Sequence, residues 1–171
     1  DVLSEEARLT GSVNTVVQEN GVLTGYNTDG KGYMRAVKDA GYQIIGGKMT
    51  LFGAGGAAAS IIAQAALDGV RGIDLFARPG ASWDAVSQVV SRVNESTDCR
   101  ICMYELRDTD QMRKSIEDSA ILVNASSVGM SPREDGCLLP DASYLRPELI
   151  VSDVIYNPRE TRFLKMAKKA G

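Results

Sequence analysis

The chain has 171 residues, 44% hydrophobic and 24% charged, which is the balance of a soluble globular domain with a real core and excludes disordered and fibrous classes. Its net charge of -3 and lack of any long basic block argue against nucleic-acid or polybasic membrane binding, and leave small acidic metabolites as candidate partners. No apolar run approaches the roughly 20 residues needed to cross a bilayer, and the acidic start Asp1-Val2-Leu3-Ser4-Glu5-Glu6 is unlike a signal peptide, so a cytoplasmic location with no membrane partner is expected.

Residues 3 to 9 read as a helix already under way. With no initiating methionine, a fragment or processed product is expected. Val13 to Val17 and Val22 to Tyr26 read as two strands of a hairpin around Glu19-Asn20-Gly21. Asp29 to Ala40 has helical spacing at Tyr33, Met34, Val37 and Ala40, with Gly41 as the stop. Strand and helix then alternate: strands at 48–52, 72–76, 100–105, 120–124 and 149–154, and helices at 56–68, 82–95, 108–117 and 160–170. That alternation predicts right-handed βαβ units. The fold class is therefore α/β, a Rossmann-like, doubly wound, mostly parallel sheet with flanking helices from about residue 42 onward. Residues 126–146 lack a period and contain Gly129, Pro132, Gly136 and Pro140, as expected of a functional or mobile loop.

The cysteines are Cys99, Cys102 and Cys137. Cys99 and Cys102 match C-x-x-C, but the chain has no histidine and no second pair, so buried or edge thiols are expected and no metal site.

Gly53-Ala54-Gly55-Gly56-Ala57-Ala58 follows a strand and opens a helix, the context that the G-x-G-x-x-G/A turn requires. Gly53 would make the tight turn, Gly55 would let a pyrophosphate touch the backbone, and Ala58 would let helix and sheet pack closely. Gly53, Ala54, Gly55, Gly56 and Ala57 are thus candidate cofactor contacts, with the helix N-terminus supplying free N–H groups to the anion. An acidic residue about 20 positions on falls at Asp74, inside a strand rather than at its tip, which makes it a weak candidate for ribose. Arg78, just past that strand, is a candidate for a 2′-phosphate or for stacking on adenine; a solvated loop arginine is the plainer alternative.

Four further segments complete a pattern: Val13-Asn14-Thr15, Asn27-Thr28-Asp29-Gly30, Asn124-Ala125-Ser126-Ser127-Val128-Gly129-Met130 and Ser152-Asp153-Val154-Ile155-Tyr156-Asn157-Pro158. In order and spacing the chain resembles the shikimate dehydrogenase family, and especially its quinate/shikimate branch, over nearly its whole length. The resemblance implies that Asn14 and Thr28 bind hydroxyls of a cyclic hydroxy acid substrate, and that Asp29 shares acid/base work with a lysine. It also implies that Asn124, Ser126 and Met130 lie at the cofactor and that Tyr156 lines the substrate pocket. The chemistry is coherent, because oxidising a secondary alcohol by hydride transfer also requires moving the hydroxyl proton. Each residue has a plainer reading too: Asp29 as a first-turn helix residue, Asn124 and Ser126 bonded within their own loop, Tyr156 as a half-buried aromatic with a wet hydroxyl.

After the second sheet strand the family commonly has Asn-Arg-Thr or Asn-Arg-Arg, whereas this chain has Ala77-Arg78-Pro79-Gly80. NADP and NAD both stay open as the cofactor, with a lean to NADP because Gly80 stands where a ribose-binding aspartate would repel a phosphate. The family's lysine, its Ser-x-Ser segment and a glutamine are placed by the resemblance outside these residues, so little turnover is expected of the chain alone. Residues 1–27 are then a remnant of the substrate domain, 28–41 a linking helix and 42–171 the NAD(P)-binding domain. An uncovered sheet edge would favour a homodimer. The competing functional readings are a non-catalytic NAD(P)-binding module and another Rossmann reductase domain.

Overall fold

The computed structural model describes residues 2–171. Among the described residues two sheets are present. The smaller has the order β1 (Val2–Leu3), β3 (Val22–Tyr26), β2 (Thr15–Glu19), with β1 parallel and β2 antiparallel to β3. The β2–β3 turn is the two-residue pair Asn20-Gly21, both at positive φ, so Asn-Gly sets the hairpin as its chemistry predicts. The expected helix from residue 3 is corrected here. Val2 and Leu3 pair along β3, and the helix α1 (Glu5–Thr10) begins only after Ser4, whose side chain accepts from the Ala7 N–H.

The larger sheet is five-stranded and parallel, in the order β6 (Arg100–Glu105), β5 (Gly72–Ala77), β4 (Lys48–Phe52), β7 (Ile121–Asn124), β8 (Ile150–Asp153). Helices α2 (Asp29–Asp39), α3 (Gly56–Leu67), α4 (Ala81–Ser96), α5 (Thr109–Glu117) and α6 (Arg162–Ala170) cover it. Met49, Leu51, Phe52, Ile73, Leu75 and Phe76 are buried because both faces of the central strands are covered, which is why these strands read as apolar runs broken only by the buried Thr50 and Asp74. Each such side chain contributes about 1.5–3 kcal/mol by leaving water. Helix α3 is apolar nearly all round, since it packs on the sheet and also receives α1, α2 and α4.

Two cores result. One lies under α2, α3 and α4; the other gathers Phe52, Phe76, Met112, Ile116, Leu122, Leu139 and Phe163 under α5 and α6. The segment expected to be a functional or mobile loop is tied to this second core. Arg113 stacks 3.9 Å above the Tyr144 ring and Arg146 donates to the Ile116 carbonyl, closing the end of α5.

Asp74 is corrected as well. It is buried, accepts from Ser115 Oγ and pairs with Lys48 Nζ at 2.8 Å, so it pins α5 to the sheet and has no access to a ribose. Burial alone would lower the Lys48 pKa, but the Asp74 and Asp118 carboxylates outweigh it and hold Lys48 above its ordinary value. A raised lysine stabilises the fold fully below about pH 10.5, and that contribution disappears as pH rises through the folded value. Lys48→Met is expected to cost about 2 kcal/mol at neutral pH, less than the ~3–5 kcal/mol of a fully buried pair because Ser115 still bonds Asp74. Urea titrations should show the gap to wild type closing above that pH; a pH-independent gap would reject the ion pair as its source.

Among the described residues no group of three potential metal ligands is present, and all three cysteines are free. Burial raises Cys99 to about 11, so its thiol is inert at neutral pH. No helix among the described residues is long and apolar enough to cross a membrane.

Candidate functional site

The chain runs outward from β4 through β5 to β6, then returns to the other side of β4 for β7 and β8. The strand order therefore reverses between β4 and β7, and in open parallel sheets ligands bind beyond the C-terminal ends of the strands at that point. The glycine-rich turn stands there. Gly53 has φ +116, and a Cβ on it would lie 2.6 Å from the Ala125 carbonyl oxygen, so only glycine lets the turn pass the loop after β7. Gly55 is the N-cap of α3 without a side-chain cap, and a Cβ there would meet nothing within 4 Å. The space beside Gly55 and the first N–H groups of α3 is thus open, which fits a pyrophosphate. Ala58 is fully buried, as close helix packing demands.

The turn forms the floor of a cleft of about 470 Å3. Arg78 and Ser82 line it beyond β5, Ser126 and Val128 beyond β7, and Leu106 and Leu138 along another wall. Among the described lining residues Arg78 is the only charged one.

The loop after β7 is shaped by Asn124. This side chain is buried, donates to the Val128 carbonyl and to Asp153 Oδ1, and accepts from the N–H and hydroxyl of Ser126. Its polar atoms are all engaged by protein, so Asn124 holds the loop instead of reaching into the cleft. Ser126, whose hydroxyl also accepts from the Val128 N–H, does line the cleft. Met130 is 41% exposed and Tyr156 is 85% exposed, and neither lines a described cavity. Tyr156, expected to line the substrate pocket, sits past the edge strand β8 and is exposed.

On the other side of the glycine turn, Asn14 and Asp29 meet. Asn14 Nδ2 donates to Asp29 Oδ1 at 2.8 Å, and Asn14 Oδ1 accepts from the Thr28 N–H, the Thr28 hydroxyl and the Thr15 hydroxyl. These acceptances fix the amide so that its NH2 must face the carboxylate. Thr28 precedes α2 without capping it through its side chain, which leaves its hydroxyl to Asn14. Asp29 lines a second cavity of about 220 Å3 with Thr10, Asn27, Gly55, Gly56 and Ser60. Ala54 and Gly55 line both cavities, so the carboxylate and the dinucleotide-type cleft are separated only by the glycine turn.

No protein-family model matches the chain. All 171 residues align, at 53% identity, with a curated shikimate dehydrogenase (NADP(+)) from Listeria monocytogenes. The similarity to that shikimate dehydrogenase runs along the whole length of the chain. The chain spans 59% of the length of that curated relative. A crystal structure of shikimate 5-dehydrogenase from Listeria monocytogenes, in complex with shikimate and NAD, superposes with a TM-score of 0.97 at 53% identity, over 100% of this chain and 59% of that one. A 5-ketofructose reductase from Gluconobacter follows at TM-score 0.82 and 32% identity, over 100% and 59%. The quinate dehydrogenase of Corynebacterium glutamicum in complex with NAD gives 0.82 at 27%, over 100% and 58%.

The parallel sheet expected from sequence is present, and it superposes on that of the Listeria monocytogenes shikimate 5-dehydrogenase. Sequence reasoning missed Ser82, Leu106, Val128 and Leu138 as cleft residues. Ser82 follows Gly80 at the start of α4, a legible signal; the leucines come from segments whose approach to the cleft is purely tertiary.

Proposed function

We propose that this chain carries the nucleotide-binding half and the adjoining catalytic edge of an NAD(P)-dependent oxidoreductase. It moves a hydride between nicotinamide and a cyclic secondary alcohol of the shikimate or quinate class. The observation that carries this reading is the second cavity, where Asp29 and the glycine turn line one space. A module built only to hold a dinucleotide has no use for the Asn14–Asp29 pair. Shikimate and NAD are bound in the Listeria monocytogenes structure, in agreement with this assignment.

In this reading Gly53, Ala54, Gly55, Gly56 and Ala57 take the pyrophosphate, Ser126 the cofactor side of the cleft and Met130 the nicotinamide end, while Asn124 sets the loop that presents them. Asn14 and Thr28 hold substrate hydroxyls, with Tyr156 at the outer rim. The cofactor, when bound, supplies or accepts the hydride. Asp29 holds the proton that must leave or join the carbinol oxygen, and Asn14 keeps its carboxylate turned to that task. Arg78, alone among uncharged described neighbours in the cleft, favours the extra phosphate of NADP over NAD. Residues 1–27 belong to the substrate lobe, 28–41 link, and 42–171 form the nucleotide lobe of a cytoplasmic enzyme whose edge strand β8 offers a surface for a homodimer.

The test is a calorimetric titration of the chain with NADP+ and NAD+ side by side, on wild type and Gly55→Ala. Wild type should bind NADP+ more tightly. Because a Cβ at Gly55 meets no protein atom, the variant should keep its urea midpoint while binding NADP+ at least about tenfold more weakly, a cost of ~1.4 kcal/mol. Failure of wild type to bind either dinucleotide, or equal binding by the variant, would reject the assignment.

A further inference from the structure

The rim of the cleft beyond β7 is not held by its own loop alone. At the end of β8 the half-buried Asp153 gathers three hydrogen bonds on one carboxylate. Its Oδ1 accepts from Asn124 Nδ2 at 3.2 Å and from the Ile155 N–H at 3.0 Å, and its Oδ2 accepts from the Thr161 hydroxyl at 2.7 Å. All three partners act as donors, the pattern that suits an ionised carboxylate. Asn124 in turn donates to the Val128 carbonyl and accepts from Ser126, two of the residues that line the cleft on that side. Thr161 is buried, and its oxygen also accepts from the Leu164 N–H as the N-cap of α6. One hydroxyl therefore caps α6 and holds Asp153.

Further contacts tie the loop after β7 to the segment after β8. The Val154 N–H donates to the Asn124 carbonyl at 3.1 Å, and the Ser131 N–H donates to the Asn157 carbonyl at 3.0 Å. A Cβ on Gly129 would lie 3.7 Å from Thr161 Cβ and 3.8 Å from Ile155 Cδ1, so the loop rests on these two side chains. Asp153, Ile155 and Thr161 are not among the described lining residues of the cleft. Arg78 stands beyond β5, on the far side of β4 from this brace, so the brace acts on one half of the cleft only.

We propose that Asp153 is a positioning residue for the nicotinamide half of the cleft: through Asn124 it fixes the 126–130 loop, and through Thr161 it anchors that loop to α6. This rests on the dinucleotide reading above. Asp153 acts through its neighbours and touches neither cofactor nor substrate. A loop already held in one conformation loses little further freedom when the ring arrives.

The experiment titrates the intact chain with NADPH, followed by the emission of its reduced nicotinamide ring, and separately with adenosine 2′,5′-bisphosphate, which lacks that ring. Wild type, Asp153→Ala, Thr161→Val and Thr161→Ser are compared, with urea midpoints in parallel. Wild type should bind both ligands and change the emission when saturated with NADPH. Asp153→Ala should lose most of that change at saturation, while its affinity for the bisphosphate stays within about twofold, as for a distant, independent site. Thr161→Val should show the same pattern in smaller measure, and it should fold, since a lost cap costs only about 1 kcal/mol. Thr161→Ser keeps the hydroxyl and should match wild type. A purely structural role would lower the urea midpoint and leave the emission at saturation untouched. Wild-type emission in either folded loss variant, an equal loss in Thr161→Ser, or a matching loss of bisphosphate affinity overturns the role of Asp153 and leaves the dinucleotide reading standing. Wild type that binds NADPH without altering its emission overturns that role too. If wild type binds neither ligand, both readings fall together.

Discussion

Gly30→Ala is expected to remove about 3–4 kcal/mol of stability. A Cβ at position 30 would lie 2.1 Å from the Ser60 carbonyl oxygen and 2.8 Å from both the Ser60 carbonyl carbon and Gln64 Cβ. The obstacle is the backbone of α3, which cannot swing aside as a side chain would. Helix propensity pulls the other way, since alanine is favoured over glycine in a helix by up to about 1 kcal/mol, but the clash wins. To relieve it α2 must lift from α3, and with it Asp29 leaves its place beside the glycine turn. Urea unfolding of the variant should show a lowered midpoint with little change in slope. A midpoint at or above wild type would mean that the two helices do not approach as closely as described.

The second large effect is on chemistry. Under the function proposed above, Asp29→Asn in a polypeptide as long as the curated relatives is expected to lower kcat for oxidation of a shikimate-class alcohol by roughly 10²- to 10⁴-fold, the range for losing a positioned acid/base group. The substitution is nearly isosteric, and the new amide oxygen can still accept from Asn14 Nδ2, so the hydrogen-bonded pair survives and only the proton-holding capacity goes. Affinity for NADP+ should change by less than about twofold, because Asp29 lies across the glycine turn from the main cleft. Steady-state kinetics with a parallel cofactor titration separates the two. Turnover within about tenfold of wild type would remove Asp29 from the proton path.

Much of this arrangement was legible in the amino-acid sequence. The strands 48–52 and 100–105 were read to the residue: the first is a mostly apolar central strand held between Gly47 and Gly53, the second an edge strand set between two helical segments. The glycine turn was readable because each small residue answers to a local steric demand. Legibility failed where partners are distant. Val2 and Leu3 are too few to show a period, and only their pairing with Thr24 and Gly25 makes them a strand. Asp74 has the spacing of a ribose ligand, but its fate is decided by Ser115 and Lys48, residues far from it in the chain. The motif residue Asn124 pointed to the cofactor, yet it is consumed by its own loop and by Asp153. Leu138, in a segment without periodicity, gave no signal at all.

Because the second core ends at Leu106 and Leu138 in an open cleft instead of under polar side chains, the folded protein is a structure with one apolar seam left for something else to close. Whatever fills that seam is in effect the last core residue, supplied from solution. Heat resistance then becomes a gauge of occupancy: a ligand at a hundred times its Kd adds about 2.7 kcal/mol to the folded state.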